Sequence, residues 1–531
     1  MNERLVEDWL ARANERSYQT PFAQSLLADG FEILRVGHSA HEHGKDVIAI
    51  DPKGKIHAYQ LKDGNLDLKA LEANWGQINA LVETQVEHPA LKGQPNHQPW
   101  LVVSGETSIP AEDRIRTHNI TWKKRGFTTL RTLSGRQLLQ RFAKMASNFW
   151  PQMPEDSHRL FNLYLTEGHG SLDRDGLAKL LSGVSGSGTQ SGKADAARRL
   201  AAANLFASYA MSPFYAAKNH WELIQGWTIT AAQIAWSAVN AGLPLTSWRA
   251  TFRMAVEEAL NSLQALAVEA LQQNALGPGI GFEIDELTRT RCTICAGAIA
   301  VKALVDRYHG NPWEHEQMAR ETLERLLQNQ RICIWGESAV PFLLAVSWAV
   351  DQIGGDYAAD KVLYSIVDAI ATQNSSHTSA KLAPPYDPAD EANAKLLSRV
   401  LKGHKAMELQ ATASYALEPA VLLFARRLWR NVLAGVWSPI AKVDIVRLVP
   451  ESPIDLLLWT WGNSRGSNQS RKFSAPQSWT ALLAEARRDE DVSLPDVLKS
   501  ELDFALLFLL CFPHRLTTGL AKNLDNRLRT L

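Results

Sequence analysis

The chain has 531 residues, which is too long for one ordinary hydrophobic core and predicts two to four domains. Its 56 basic and 56 acidic side chains balance, so no overall positive field marks it as a nucleic-acid-binding protein. Hydrophobic residues make up 45% and charged residues 21%, proportions typical of a globular protein. Any contact with nucleic acid must therefore come from a local site.

The amino terminus and the apolar runs argue against a membrane protein. Residues 1–8 are charged and contain no secretory hydrophobic core. The two strongest apolar runs, at 340–350 and 504–512, are much shorter than the roughly 20 residues that a membrane span needs. Four cysteines provide no disulfide framework. We therefore expect a cytoplasmic protein without a membrane partner.

The first elements predicted are two helices and a strand. Apolar residues recur at helical spacing within residues 1–18. A second helix is expected at 20–27 and a strand at 31–36. The stretch that follows, residues 44–62, contains most of the residues on which the predicted function depends.

Residues 44–62 predict two short strands joined by a tight turn. Apolar residues fill 47–50 and recur through 56–61, and turn-forming residues separate the two runs. Pro52 presets the first turn position, and Gly54 can adopt the positive φ that a three-residue loop with a bulge needs. This turn would pair the residues on either side of it in a defined register.

The register decides which side chains meet at the open end of the hairpin. With the bulged three-residue loop, Asp46 faces Gln60, and Lys62 is the diagonal neighbour on the same face. A two-residue loop would shift the pairing by one and place Asp46 on the opposite face from Lys62. The turn sequence favours the bulged form, and the two-residue loop remains an alternative.

Asp46, Gln60 and Lys62 together suit the hydrolysis of a phosphodiester. Asp46 can bind a hard divalent cation, and the Gln60 carbonyl can add a neutral oxygen ligand. Mg²⁺ prefers such oxygen ligands and keeps several waters. Lys62 can orient one of these waters or help to remove its proton. The trio therefore predicts in-line attack of water on a phosphate.

Asp46 followed by Gln60-x-Lys62 at the end of the next strand resembles the PD-(D/E)xK nuclease superfamily. The pattern is most similar to the Mrr-like restriction endonuclease branch, in which glutamine often replaces the second acid. The preceding helix and strand within residues 20–34 also look similar to that branch. The resemblance covers about residues 1–145 and no more of the chain.

This resemblance implies an α/β restriction-endonuclease-like domain that acts as a Mg²⁺-dependent endonuclease, with Mn²⁺ as an alternative metal. DNA is the implied substrate, and RNA is the alternative. The implied catalytic residues are Asp46, Gln60 and Lys62, of which Asp46 and Gln60 bind the metal. Family members usually add a glutamate from the first helix, and Glu15 is the candidate here.

The remaining pattern up to about residue 150 fits an α/β sheet. Helices are predicted at 65–84, 111–125 and 135–146, and strands at 99–104 and 127–133. The densest basic cluster of this domain lies at 123–125, together with two arginines earlier on the same helix. It could contact a phosphate backbone or form an ordinary solvated helix face.

Beyond residue 151 the pattern becomes mainly helical. We predict three domains: a nuclease domain at 1–150, a helical domain at 151–380 and a helical C-terminal domain at 381–531. Stretches rich in glycine, serine or proline at 182–192 and 373–389 predict flexible joints. The polar stretch 462–472 is interpreted as a disordered surface loop, and Cys292 and Cys295 as buried residues of a helix.

Two functional hypotheses follow. The first is a DNA nuclease, the effector of a restriction-like or anti-phage defence system, whose helical region senses, binds a partner protein or forms homo-oligomers. The second is a non-catalytic nucleic-acid-binding or scaffold protein with a degenerate nuclease domain. Metal-dependent cleavage that is lost on substitution of Asp46 or Lys62 would separate them.

Overall fold

The computed structural model describes residues 2–36, 45–86, 91, 96–149, 154–186, 193–272, 285–311, 313–329, 336–353, 359–373, 413–460, 465–488 and 494–529. The chain divides into two compact units, Met1–Glu258 and Ala259–Leu531. The three-domain division with boundaries at 150 and 380 stays a prediction. The second of these boundaries lies outside the described residues, as do most of the two predicted joints.

Two helices open the first unit, α1 (Asn2–Arg12) and α2 (Glu15–Ala28). The side chain of Asn14 caps α2 by accepting a hydrogen bond from the backbone N–H of Ser17 at 2.9 Å. The predicted start at residue 20 was wrong, because Pro21 lies inside the helix rather than at its beginning. The cap and the burial of most of α2 outweigh the hydrogen bond that Pro21 removes.

A five-stranded sheet follows in the spatial order β1-β2-β3-β4-β5. The first three strands form antiparallel pairs, and β4 and β5 then add in parallel. The predicted α/β class of the N-terminal region is thereby confirmed. The strands are β1 (Glu32–Val36), β2 (Val47–Ile50), β3 (Ile56–Lys62), β4 (Gln98–Val103) and β5 (Arg131–Leu133).

The β2–β3 hairpin has the predicted bulged turn. Asp51 donates its backbone N–H to the carbonyl of Lys55 at 2.9 Å, and Gly54 has a φ of +81°. Further along the ladder Val47 pairs with Tyr59. The predicted register is therefore confirmed for Val47–Ile50, and the two-residue loop is excluded. The predicted pairing of Asp46 with Gln60 is not among the strand pairs, because the Asp46 N–H donates to the carbonyl of Tyr59 at 2.8 Å.

Helices cover both faces of the sheet. Ala58 and Leu101 face a core built with α3, α4 and α5, whereas Tyr59 packs edge-to-face on Phe22 of α2 with ring centroids 5.1 Å apart. The single helix predicted at 65–84 is two helices that meet at Asn74. The helices of this region are α3 (Leu68–Ala73), α4 (Trp75–Glu83), α5 (Ile109–Lys124) and α6 (Gly135–Phe149).

Further helices of the first unit pack against α1 and α2. Trp9 of α1 meets Tyr209 edge-to-face with ring centroids 4.8 Å apart. Thr20 of α2 donates its hydroxyl to Glu258 at 2.7 Å, so α2 lies between the sheet and these helices. They are α7 (Pro154–Tyr164), α8 (Arg174–Ser185), α9 (Lys193–Ala216), α10 (His220–Asn240) and the first part of α11 (Arg249–Gln272).

The second unit is mainly helical and also contains a small sheet. Its strands β6 (Ala413–Ser414), β7 (Asp444–Pro450) and β8 (Gly466–Arg471) lie in that order. The disordered loop expected at 462–472 was wrong for β8, which pairs antiparallel with β7. Most β8 side chains are polar and exposed, so no apolar alternation marked the strand.

Ten further α-helices follow the second part of α11 in the described residues of this unit. They are α12 (Asp285–Tyr308), α13 (Glu316–Gln328), α14 (Val340–Ile353), α15 (Ala359–Gln373), α16 (Leu417–Arg426), α17 (Arg430–Ile440), α18 (Trp479–Arg487), α19 (Asp496–Ser500), α20 (Leu502–Cys511) and α21 (Thr518–Leu528). The two strongest apolar runs are the buried helices α14 and α20. Within the described ranges no helix is long and apolar enough to cross a bilayer. Cys292 and Cys295 are buried in α12, as predicted.

Glu337 is expected to make the stability of the second unit depend on pH. Its buried carboxylate accepts hydrogen bonds from the backbone N–H groups of Tyr415 at 2.9 Å and Ala416 at 3.3 Å. Burial nevertheless raises the pKa of Glu337 from 4.5 to about 7. Folding therefore favours the protonated form, and this stabilisation is present below pH 4.5 and is lost as the pH rises through 7.

We expect Glu337→Gln to raise the melting temperature relative to wild type at pH 8. The pKa shift corresponds to roughly 3 kcal/mol of folding stability that the wild type loses when Glu337 ionises. The glutamine amide does not ionise, so the variant keeps this stability. The gain should shrink towards pH 5, where wild-type Glu337 is itself mostly protonated. Thermal unfolding of both proteins between pH 5 and 8 measures this, and a difference that does not change with pH would contradict it.

Candidate functional site

The candidate site lies at the open end of the β2–β3 hairpin. The strand ladder ends at the pair of Val47 and Tyr59, and Asp46 directly precedes it. Alternation along β3 assigns Gln60 and Lys62 to the same side of the strand, and Asp46 lies in the bend that precedes β2, outside the paired residues. The carboxyl ends of β3 and β4 meet at the same edge, because Lys62 pairs with Val103 in parallel register.

The Asp46 side chain accepts a hydrogen bond from β3 just beyond the last pair of the β2–β3 ladder. Its backbone N–H donates to the carbonyl of Tyr59 at 2.8 Å, and its Oδ2 accepts from the N–H of Leu61 at 2.6 Å. A carboxylate oxygen thus binds an amide of β3 beyond the last backbone pair. This contact fixes the direction of the carboxylate, and the residue is only 9% exposed.

Gln60 presents a buried carbonyl oxygen. Its side-chain N–H₂ donates to Oε1 of Gln77 on α4 at 2.8 Å, which orients the amide. Its own Oε1 is buried and has no hydrogen-bond partner among the described residues. An unsatisfied buried acceptor costs about 1–3 kcal/mol. Gln60 Oε1 is therefore suited to bind a cation or a water.

Lys62 and Glu15 form an ion pair, with Lys62 Nζ 2.9 Å from Glu15 Oε1. Glu15 is the first residue of α2, so the early start of that helix brings it to the sheet edge. The Lys62 side chain is 13% exposed and that of Glu15 is 27% exposed, whereas Gln60 is 1% exposed. Exposure rises towards Glu15, which indicates that solvent reaches the site from that side.

Tyr18 and Gln19 also reach the site, and sequence reasoning missed both. The Tyr18 hydroxyl donates to the carbonyl of Lys62 at 2.8 Å, and the Gln19 side-chain N–H₂ donates to the carbonyl of Asp46 at 2.9 Å. Burial raises the pKa of Tyr18 well above 10, and the carboxylates of Glu15 and Asp46 add to this effect. On a helix that begins at Glu15, Tyr18 and Gln19 stand three and four residues further on and so share its face. A correctly predicted helix start would therefore have identified both residues.

The oxygen donors at the hairpin end fit a hard cation. Within the described part of the chain, no three His, Cys, Asp or Glu side chains form a metal-binding group. The Asp46 carboxylate and the unsatisfied Gln60 Oε1 are nevertheless the donor types that Mg²⁺ and Mn²⁺ accept. Mg²⁺ commonly uses one or two protein oxygens and keeps waters in its other positions.

The basic cluster at 123–125 does not lie beside this site. The α5 helix begins close to the sheet edge that holds Lys62 and ends at Lys124. Its 16 residues span about 24 Å, which separates the cluster from the site. Arg125 is also paired with Glu83 at 2.6 Å. Any phosphate contact made by this cluster would be remote from Lys62.

No protein-family model, curated protein or solved structure matches this chain. The resemblance to the PD-(D/E)xK superfamily stays a prediction, which depends on Asp46, Gln60 and Lys62 and on the order of the surrounding elements. The function is accordingly argued from the geometry of the site.

Proposed function

We propose that the chain is a metal-dependent endonuclease that hydrolyses phosphodiester bonds of DNA. The observation that supports this most directly is the arrangement at one end of the β2–β3 hairpin. Asp46 lies at the beginning of β2, Gln60 offers an unsatisfied buried oxygen, and Lys62 is held by Glu15 at 2.9 Å. Such an acid, carbonyl and ammonium are the groups that hydrolysis of a phosphate ester needs.

Each residue has a distinct role in this proposal. Asp46 and Gln60 would hold Mg²⁺, or Mn²⁺ as the alternative, through their side-chain oxygens. The bound cation would lower the pKa of a water and neutralise charge on the phosphate. Lys62 orients the attacking water and stabilises negative charge that develops during attack. Glu15 restricts the position of the Lys62 ammonium through their ion pair.

We further propose that the N-terminal α/β region is a restriction-endonuclease-like domain of the Mrr-like type. An antiparallel hairpin that continues into parallel strands through helices supports this assignment. The helical remainder would sense, oligomerise or bind a partner protein in a restriction-like or anti-phage defence system. Such an enzyme would act in the cytoplasm on DNA, with RNA as the alternative substrate.

One observation favours the second candidate, a non-catalytic nucleic-acid-binding or scaffold protein. The Asp46 carboxylate accepts a hydrogen bond from the Leu61 amide, and the residue is 9% exposed. An aspartate with that contact can stabilise the end of a strand without taking part in a reaction. The unsatisfied Gln60 oxygen is not accounted for by this interpretation, and it favours the nuclease.

Incubation with nucleic acid and metal separates the two candidates. We expect the purified full chain to cleave plasmid or linear duplex DNA with Mg²⁺ or Mn²⁺, and a chelator to abolish cleavage. Gel analysis of duplex DNA, single-stranded DNA and RNA after timed incubation measures this. Binding without cleavage on every substrate and with both metals would support the scaffold instead.

A further inference from the structure

We propose that helix α2 positions the site through Tyr18 and Gln19, which act as positioning residues for Lys62 and Asp46. This inference rests on the proposed function and extends it to residues that would touch neither metal nor substrate. Tyr18 binds the main chain of Lys62 at 2.8 Å, and Gln19 binds the main chain of Asp46 at 2.9 Å. Two successive residues thus hold the main chain of the two residues on which cleavage would depend.

The three contacts come from one face of α2. Glu15, Tyr18 and Gln19 stand at positions i, i+3 and i+4, which are neighbours on a helix surface. Glu15 binds the Lys62 ammonium, while the other two bind backbone carbonyls. A single rigid element therefore contacts both the side chain and the main chain of Lys62, and the main chain of Asp46.

The chemistry of these contacts leaves no ambiguity in direction. A backbone carbonyl can only accept, so the Tyr18 hydroxyl and the Gln19 N–H₂ must donate. Tyr18 is fully buried and Gln19 is 3% exposed, so water does not compete well for either bond. The raised pKa of Tyr18 keeps its hydroxyl protonated through the neutral range.

The bonds add contacts from a helix to two strand ends, and the Lys62 carbonyl also accepts the Ser104 N–H at 3.0 Å. Asp46 lies outside the last backbone pair of β2, and Lys62 is the last residue of β3. The Tyr18 hydroxyl also contacts the carbonyl of Val102 in β4 at 3.4 Å. The α2 helix thereby joins three strands at one edge and fixes the spacing of the Asp46 carboxylate and the Lys62 ammonium.

The opposite face of α2 is anchored, so the helix cannot simply follow a displaced strand. Thr20 donates to one oxygen of the buried Glu258 carboxylate and Tyr215 to the other, each at 2.7 Å. Trp227 in turn donates to the Tyr215 hydroxyl at 2.9 Å. The positioning contacts are therefore made from a fixed support.

The test compares two site-facing variants with two matched controls. Tyr18→Phe and Gln19→Leu each remove one bond to the site. Tyr164→Phe removes a tyrosine hydroxyl bond to Asp8 of 2.6 Å, and Gln24→Leu removes an equally buried glutamine of the same helix. For each protein, cleavage rate is measured against Mg²⁺ concentration at saturating duplex DNA, alongside the melting temperature.

We expect the Mg²⁺ concentration for half-maximal cleavage to rise about tenfold or more in Gln19→Leu, because Gln19 holds the proposed metal ligand Asp46. In Tyr18→Phe the cleavage rate at saturating Mg²⁺ should instead fall about tenfold or more, because Tyr18 holds Lys62. The KM for DNA should stay near the wild-type value, and both controls should stay within about twofold of wild type in Mg²⁺ dependence. A purely structural role would lower the melting temperature without either change. Should Tyr18→Phe fail to fold, Gln19→Leu compared with Gln24→Leu decides.

An unchanged Mg²⁺ dependence in Gln19→Leu together with an unchanged saturating rate in Tyr18→Phe, or an equal change in all four variants, would overturn the positioning role while the wild type still cleaves. A wild type that cleaves nothing would overturn the proposed function, and the positioning role with it. The two failures are therefore distinguishable by the wild-type control alone.

Discussion

Replacing Asp46 by asparagine should lower the rate of metal-dependent DNA cleavage by about three orders of magnitude or more. Asparagine keeps a side-chain oxygen for the 2.6 Å bond from the Leu61 amide, so the strand end should stay intact. It removes the negative charge that a hard cation needs. The single-turnover rate at saturating DNA, with the melting temperature as a check on folding, measures the effect.

Asp51→Asn is the matched control for this substitution. Asp51 lies at the turn end of the same hairpin, where its Oδ1 accepts from the N–H groups of Lys53 and Lys55 at 2.9 Å each. Loss of its charge should change stability but leave the cleavage rate within about threefold, because it lies far from the site. Wild-type cleavage by Asp46→Asn would rule out the proposed metal ligand.

Replacing Lys62 by methionine should lower the cleavage rate by about 10²- to 10⁴-fold while leaving metal binding largely intact. Methionine keeps most of the side-chain volume but supplies no ammonium for the water or for the developing charge. Glu15 loses its partner, yet its side chain is 27% exposed and water can solvate it. Single-turnover kinetics give the rate, and calorimetric titration with Mg²⁺ gives the affinity.

Lys55→Met provides the corresponding control at the other end of β3. Lys55 donates to the side chain of Gln98 at 3.3 Å, well away from the open end of the hairpin. Removal of this positive charge should leave the rate near wild type. An equal loss of rate in Lys55→Met and Lys62→Met would indicate a general charge effect on DNA binding and contradict a specific role for Lys62.

The hairpin could be predicted from the sequence because its information is local. Pro52 and Gly54 each permit few backbone conformations, and together they select one loop and hence one register. Once the register is known, Asp46 must lie next to the end of β3 that contains Gln60 and Lys62. That part of the site follows from turn chemistry and side-chain alternation.

The parts that could not be predicted depend on tertiary contacts. Pro21 is normally a helix-starting signal, but packing on both sides of α2 holds it inside the helix. Because the predicted helix began at residue 20, it did not include Tyr18 and Gln19, and their contacts with the site were missed. β8 consists of polar residues, and only its pairing with β7 makes it a strand.

The contacts that α2 makes on the face away from the sheet affect whether the α/β region can fold without the rest of the first unit. A chain truncated at residue 150 would lose Glu258, the acceptor for Thr20, and Tyr209, the ring that packs on Trp9. The Thr20 hydroxyl of α2 and the Trp9 indole of α1, which are now enclosed by protein, would then face water. Of these two helices, α2 is the one that contacts Asp46 and Lys62. We therefore expect that the first 150 residues do not fold as well alone as within the unit Met1–Glu258, and grafting experiments should carry the chain through Glu258.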